Sequence, residues 1–327
     1  MKRTFYFLMA SIGVCGALVV ALVLVTRGDY LVAPLVTEDA NLPSAEVAGV
    51  RLHFRRIERP PEAPTIVVLH GGPGGDFRSL MALEALSDSH SVVFYDQRGA
   101  GLSERVSGDD LNLDGHLFEL NAIIARSAKG QPVVLIGHSW GAMLATAYLG
   151  MNPEQVQSAI LIEPGYLDGA GKGSWTEEAQ KYMSGGTYWK EAVLSGFRAQ
   201  HVIGPDANAA DDFLIGHMVG VFTDHPDNPY HCGGGYSAPS WRFGAASSRR
   251  WEQATVSEID QIAHGTAFDG PVLFLAGDCN DWIGPSLQAR HMERFTDAEL
   301  VGIPNAGHDV VWDNPDATLA AIRAFLD

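Results

Sequence analysis

Gly137-His138-Ser139-Trp140-Gly141 decides how the rest of this chain is read. The apolar run 132–136 before it suits a buried strand, and the small apolar stretch 142–149 after it suits a helix packed close to a sheet. A serine at a strand-to-helix corner sits in a tight, strained turn, and glycine two residues to either side lets strand and helix approach. The turn pushes the Ser139 hydroxyl outward. It also lies at a helix start, where free backbone N–H groups stabilise developing negative charge.

Similar strands surround the corner. Runs 65–69, 91–95, 158–162, 271–276 and 298–303 are short and apolar, with helical patterns at 80–86, 117–128 and 315–326. Residues 45–47 and 50–57 alternate around Gly49 as an antiparallel hairpin does, and the prolines of 60–64 then break the chain. Strands alternating with helices spell an α/β class with a mostly parallel central sheet flanked by helices. After Glu163-Pro164-Gly165 the strand pattern stops. Gly, Trp, Tyr, His and Pro abound, and helical patches appear at 176–183, 189–199 and 211–222. The expected organisation is therefore a core made of 45–164 and 264–327, with a helical cap at 165–263 carrying the substrate-selecting contacts.

A serine hydroxyl needs a base within hydrogen-bond reach, and the base needs an acid to fix its tautomer and stabilise its cation. His308 is the best-placed histidine, because Asn305-Ala306-Gly307-His308-Asp309 directly follows the last strand. The acid is expected from Asp278-Cys279-Asn280-Asp281, which follows the strand at 271–276. Asp281 is preferred because it lies deeper in the loop, with Asp278 as its competitor. Glu163 is a third candidate, since it also leaves the carboxyl end of a strand. The order Ser139, Asp281, His308 fits a triad at the top of such a sheet.

The strand at 65–69 runs into His70-Gly71-Gly72-Pro73-Gly74-Gly75, a turn that leaves its backbone N–H groups open to a ligand. A phosphate loop does not fit, because no Gly-Lys-Ser/Thr follows and Asp76 would repel the phosphate. An oxyanion-binding turn does. Asp96 and Arg98, in Asp96-Gln97-Arg98-Gly99-Ala100-Gly101-Leu102-Ser103, are expected to brace the loop beside it. His201, His217, His225 and His231 show no compact metal-ligand spacing, so neither metal nor organic cofactor is expected.

A formal charge of −17 with only 22 Lys and Arg in 327 residues argues against nucleic acid as a partner. The acid excess suits a solvated surface, or a negative mouth that draws cationic substrates. Cys15 lies in the apolar leader, leaving Cys232 and Cys279 able to form a single pair. Residues 4–26 carry no charge, and as a helix they would be about 35 Å long against a hydrocarbon core of about 30 Å. They are expected to form a single-pass anchor at 1–27, followed by a linker at 28–44. Lys2 and Arg3 would hold the amino terminus in the cytoplasm, with the catalytic domain on the other side. The alternative is a cleaved signal peptide and a secreted or periplasmic protein. The sequence carries no signal of oligomeric state.

Together, His70-Gly71-Gly72-Pro73-Gly74-Gly75, the stretch 96–103 and Ser139-Trp140-Gly141 resemble the α/β-hydrolases, and within them the proline iminopeptidases and related serine hydrolases. The resemblance implies Ser139 as nucleophile, His308 as base, Asp281 as acid, and the backbone N–H groups of Gly72 and Trp140 as the oxyanion hole. It also implies that acidic cap residues receive the substrate's amine, Glu252 first and Asp211 or Asp212 second. The chain departs from the family at His138, where glycine is usual, and at Asp281, one residue later than the family's acid. The expected substrate is a small molecule or short peptide with an N-terminal proline or other small residue. A carboxylesterase or lactonase acting on small acyl esters is the alternative, and a non-catalytic binding protein on the same fold the third reading.

Overall fold

The apolar runs of the sequence pair edge to edge into one sheet. The computed structural model describes residues 2–59, 63–233 and 235–327. Along the chain the strands are β1 (Tyr30–Leu31), β2 (Ser44–Val47), β3 (Val50–Ile57), β4 (Thr65–Leu69), β5 (Ser91–Tyr95), β6 (Val133–His138), β7 (Val156–Ile162), β8 (Val202–Ile203), β9 (Val272–Gly277) and β10 (Ala298–Ile303). The helices are α1 (Lys2–Val25), α2 (Leu113–Ser127), α3 (Trp140–Met151), α4 (Gly169–Tyr182), α5 (Gly185–Ala199), α6 (Ala209–Thr223), α7 (Ala245–Glu252), α8 (Val256–Asp260), α9 (Pro285–Met292), α10 (Val310–Asp313) and α11 (Pro315–Leu326). The helical pattern at 80–86 becomes a 3-10 helix, Arg78–Asp88.

Eight strands lie in the order β10-β9-β7-β6-β4-β5-β3-β2, with antiparallel pairing only at β2–β3 and β3–β5. β4, β5, β6 and β9 are buried along their whole length. That explains their unbroken apolar sequence: a parallel strand covered on both faces has no polar side to alternate. Ile66 and Val68 pack on one face with Leu83, Phe94 and Ile322, while Val67 and Leu69 pack on the other with Leu120, Trp140 and Tyr148. The register aligns Leu69 with Gly137, His138 with Ile162 and Ile162 with Leu275, so these parallel strands end together at one edge. Loops carrying His70, Ser139, Glu163, Asp278 and His308 all leave from that edge.

Helices α4 to α8 come between β7 and β9. The stretch expected as a linker, 28–44, lies against the body. β1 pairs in parallel with β8, Leu35 and Val36 are buried, and the Val36 N–H donates to Leu102 O at 2.9 Å. The prolines at 60–62 and the side chains of Lys2 and Arg3 lie outside the described residues.

The expected membrane anchor is corrected by the structure. Residues 2–25 do form a helix, but among the described residues no helix is long and apolar enough to cross a membrane. The single-pass anchor, its membrane partner and the localisation drawn from them are withdrawn.

Candidate active site

Ser139 sits between β6 and α3 with φ +53° and ψ −117°. That is left-handed backbone for a residue with a side chain, at a cost of about 1–3 kcal/mol, and it persists only where the surroundings impose it. Here they do. The Ser139 N–H donates to Ile162 O at 2.8 Å, and its carbonyl accepts from the Ala142 N–H at 3.0 Å. A Cβ on Gly137 would run into Gly141 O, and one on Gly141 into Leu69 O, so strand and helix reach this spacing only through the two glycines.

Trp140 opens α3, so its backbone N–H has no acceptor within the helix. Its side chain is held by Gln97: the Trp140 Nε1–H donates to Gln97 Oε1 at 2.8 Å. The Gln97 Nε2–H donates to His70 O at 3.1 Å, and the Gln97 N–H to His70 Nε2 at 2.9 Å. That leaves the proton of His70 on Nδ1, which donates to Gly71 O at 2.8 Å. Gln97 thus joins His70, at the head of the glycine turn, to Trp140 on the serine's helix. Asp96 accepts from the Phe77 N–H (3.1 Å) and Leu102 N–H (2.8 Å) and pairs with His53 Nδ1 at 2.7 Å. Arg98 is spent on buried Glu119 and Asp110 O.

The carboxylate at His308 is Glu163, not Asp281 or Asp278. His308 Nδ1 lies 2.7 Å from Glu163 Oε2, which also accepts from Asn280 Nδ2 at 2.7 Å, while Oε1 accepts from the Gly277 N–H at 2.8 Å. Glu163 itself has φ +46° at the end of β7. In the loop after β9 the inward side chain is Asn280, whose Oδ1 accepts from the N–H groups of Trp282 (3.1 Å) and Ile283 (3.0 Å). Its turn leaves Asp278 and Asp281 facing solvent. Burial holds His308 down, to about 3, which keeps the ring neutral with Nε2 free to accept a proton. Burial pushes the Glu163 carboxyl up, against the donors from Gly277 and Asn280.

His308 packs against two rings, Tyr230 at 4.7 Å and 30° and His138 at 4.7 Å and 42°. Its N–H donates to Tyr230 O at 2.7 Å, and its carbonyl accepts from His138 Nε2 at 2.9 Å. A Cys232–Cys279 disulfide fastens the Tyr230 segment to the loop after β9. Nothing in the sequence marked Tyr230 or Gln97 for these roles.

Ser139, His308, Gly71 and Gly72 line one cavity of about 600 Å³, together with Trp175, Phe213 and Phe222 from the segment between β7 and β9. Ser139 Oγ makes no hydrogen bond among the described residues, as is common before a substrate tightens such a site. Of the three acids expected to meet an amine, only Glu252 offers a free carboxylate here: it lines the cavity and has no side-chain partner among the described residues. Asp211 is exposed and bound by Arg249 at 2.7 and 3.0 Å. Asp212 is consumed: its Oδ2 takes Arg105 Nε (3.0 Å), Arg105 Nη2 (2.9 Å) and Arg242 Nε (2.7 Å), and its Oδ1 takes the Ala245 N–H (2.9 Å). Among the described residues no group of three His, Cys, Asp or Glu is arranged to hold a metal ion.

Residues 64–315 match a family model described as the alpha/beta hydrolase fold. Among curated relatives, a proline iminopeptidase of Heyndrickxia coagulans is 38% identical over 120 residues, 36% of this chain and 41% of that protein. In that match the chain spans less than half of the relative's length. A proline iminopeptidase of Levilactobacillus brevis is 27% identical over 288 residues, 82% of this chain and 89% of that protein. Among solved structures, an enol-lactonase from Burkholderia xenovorans LB400 aligns with a TM-score of 0.59 at 20% identity, covering 87% of this chain and 99% of that one.

Proposed function

The chain belongs to the α/β-hydrolase family, and on that premise we propose that it is a serine hydrolase whose acyl transfer runs through Ser139, His308 and Glu163. The preferred substrates are short peptides with a free amino terminus, N-terminal proline foremost. The observation that carries this is the 2.7 Å contact of Glu163 with His308, on a ring that shares its cavity with the strained Ser139. Likeness to proline iminopeptidases and a cavity lined by four carboxylates, Asp76, Asp212, Glu252 and Asp309, support the substrate class.

In this reading Ser139 Oγ attacks the scissile carbonyl while His308 Nε2 takes its proton. Glu163 stabilises the imidazolium that forms. The oxyanion is received by the Gly72 and Trp140 N–H groups, one such donor being worth about 10²–10³ in rate. His308 then protonates the leaving amine, and a water molecule activated by the same nitrogen releases the acyl group from Ser139. The helical segment at 165–263 acts as the cap that selects the substrate.

A fluorophosphonate probe tests the chemistry: labelling of the wild type and none of Ser139→Ala is expected, and an unlabelled wild type rejects it. Hydrolysis of proline naphthylamide against nitrophenyl butyrate tests the substrate. The second reading, an esterase or lactonase, is favoured by the aromatic lining of the cavity; turnover of the ester alone selects it.

A further inference from the structure

The loop that supplies His308 also supplies a carboxylate that meets no hydrogen-bond donor or cation among the described residues. Asp309 lines the same cavity and is only 8% exposed. It precedes α10 without capping it. No hydrogen bond or ion pair reaches its side chain among the described residues. A buried carboxylate with no partner is costly, and the ordinary remedies are a cation or a proton. No lysine or arginine among the described residues answers. Arg242 is the one Arg or Lys lining the cavity among the described residues, and its guanidinium is taken by Asp206, Asp212 and Ala33 O.

The neighbours of Asp309 add negative charge or aromatic surface. Burial pushes its carboxyl up to about 8, and Asp313 and then Glu163 add to the effect. Tyr230 and Tyr236 face it, and both phenols are held up by burial, with Asp309 contributing. The fourth acid of the cavity, Asp76, is satisfied by Ser240 Oγ (2.6 Å) and by the N–H groups of Arg78 (3.0 Å), Trp241 (2.6 Å) and Arg242 (3.2 Å). Aromatic walls and an unpaired carboxylate together suit an organic ammonium better than a hydrated metal ion.

We infer that Asp309 is the specificity-determining residue of this cavity: it receives the protonated amine of the substrate beside the catalytic histidine, and the acids of the cap do not. The inference rests on the hydrolase reading of the site and deepens it. It places the amine's charge partner on the core loop, one residue from His308, where Glu252 is exposed and its field is screened by water. Binding of the ammonium ionises Asp309 and releases a proton.

The experiment compares prolinamide, as the cation, with cyclopentanecarboxamide, its neutral isostere, as competitive inhibitors of nitrophenyl butyrate hydrolysis. Wild type is expected to favour the cation, and Asp309→Asn to lower the ratio of the two inhibition constants at least tenfold. A merely structural role would weaken both inhibitors alike and leave the ratio in place, which overturns the inference. So does a ratio unchanged in Asp309→Asn but lost in Glu252→Gln. If Asp309→Asn does not fold, calorimetry of prolinamide binding to wild type in two buffers of different ionisation enthalpy reads the released proton, and its absence near pH 7 counts against Asp309. If the wild type hydrolyses nothing and takes no fluorophosphonate, the hydrolase reading fails, while the same calorimetry still decides the ammonium site.

Discussion

His308 Nδ1 meets Glu163 Oε2 at 2.7 Å across 145 residues of chain, so the carboxylate at this ring comes from the strand before the helical segment and not from the loop after it. Glu163→Gln keeps the shape but loses the charge that supports the imidazolium and the acceptor that sets its tautomer. We expect kcat to fall about 10³–10⁴-fold with little change in KM. Asp281→Asn should stay within about twofold of wild type in the same assay, since its carboxylate faces solvent. The reverse pattern would restore Asp281 as the acid.

Gln97 links His70 and Trp140 with three hydrogen bonds of 2.8 to 3.1 Å. Gln97→Leu leaves the Trp140 Nε1–H and His70 O buried without those partners, at about 1–3 kcal/mol each. Urea unfolding should show the loss. On the proposed reading, in which the Gly72 and Trp140 N–H groups receive the oxyanion, loosening His70 and Trp140 should lower kcat further than the change in KM explains.

Asp212 holds two arginines that are themselves buried. Removing it leaves Arg105 with backbone carbonyls alone and Arg242 with Asp206 and Ala33 O, and breaking a buried pair costs about 3–5 kcal/mol. Asp212→Ala is therefore expected to lower the urea midpoint sharply, with the cap loosening first. A loss under about 1 kcal/mol would mean that water or Asp206 replaces it.

Asp309 gives stability a pH dependence of definite sign. Its pKa is about 8 in the folded chain against 3.8 for an ordinary aspartate, so between those values the folded state binds the proton and the unfolded state does not. Stability from this group falls as pH climbs through that window, by at most about 1.4 kcal/mol per pH unit, and levels off above about 8. Asp309→Asn never ionises. Its Tm relative to wild type should rise from pH 5 to pH 8.5, and a flat difference would show that Asp309 is ionised or solvated throughout.

The sequence by itself determined the alternation of strand and helix, the Ser139 corner, the glycine turn at 70–75 and the histidine after the last strand. Each is a local pattern: strands buried on both faces must be apolar, and a tight corner must have glycine where backbones touch. It also separated the helical segment from the core by the change in residue pattern after Glu163. What it could not rank were carboxylates. Asp281, Asp278 and Glu163 all follow strands in parallel register, and Asp211, Asp212 and Glu252 all lie on helices of one segment.

Tertiary structure decided among them, because a carboxylate's role depends on which donors and cations arrive from distant parts of the chain. Asn280 takes the inward place and turns Asp281 out. Arg105 and Arg242 consume Asp212. Among the described residues no donor or cation arrives at Asp309, which gave no sign of its isolation until the walls of the cavity were in place.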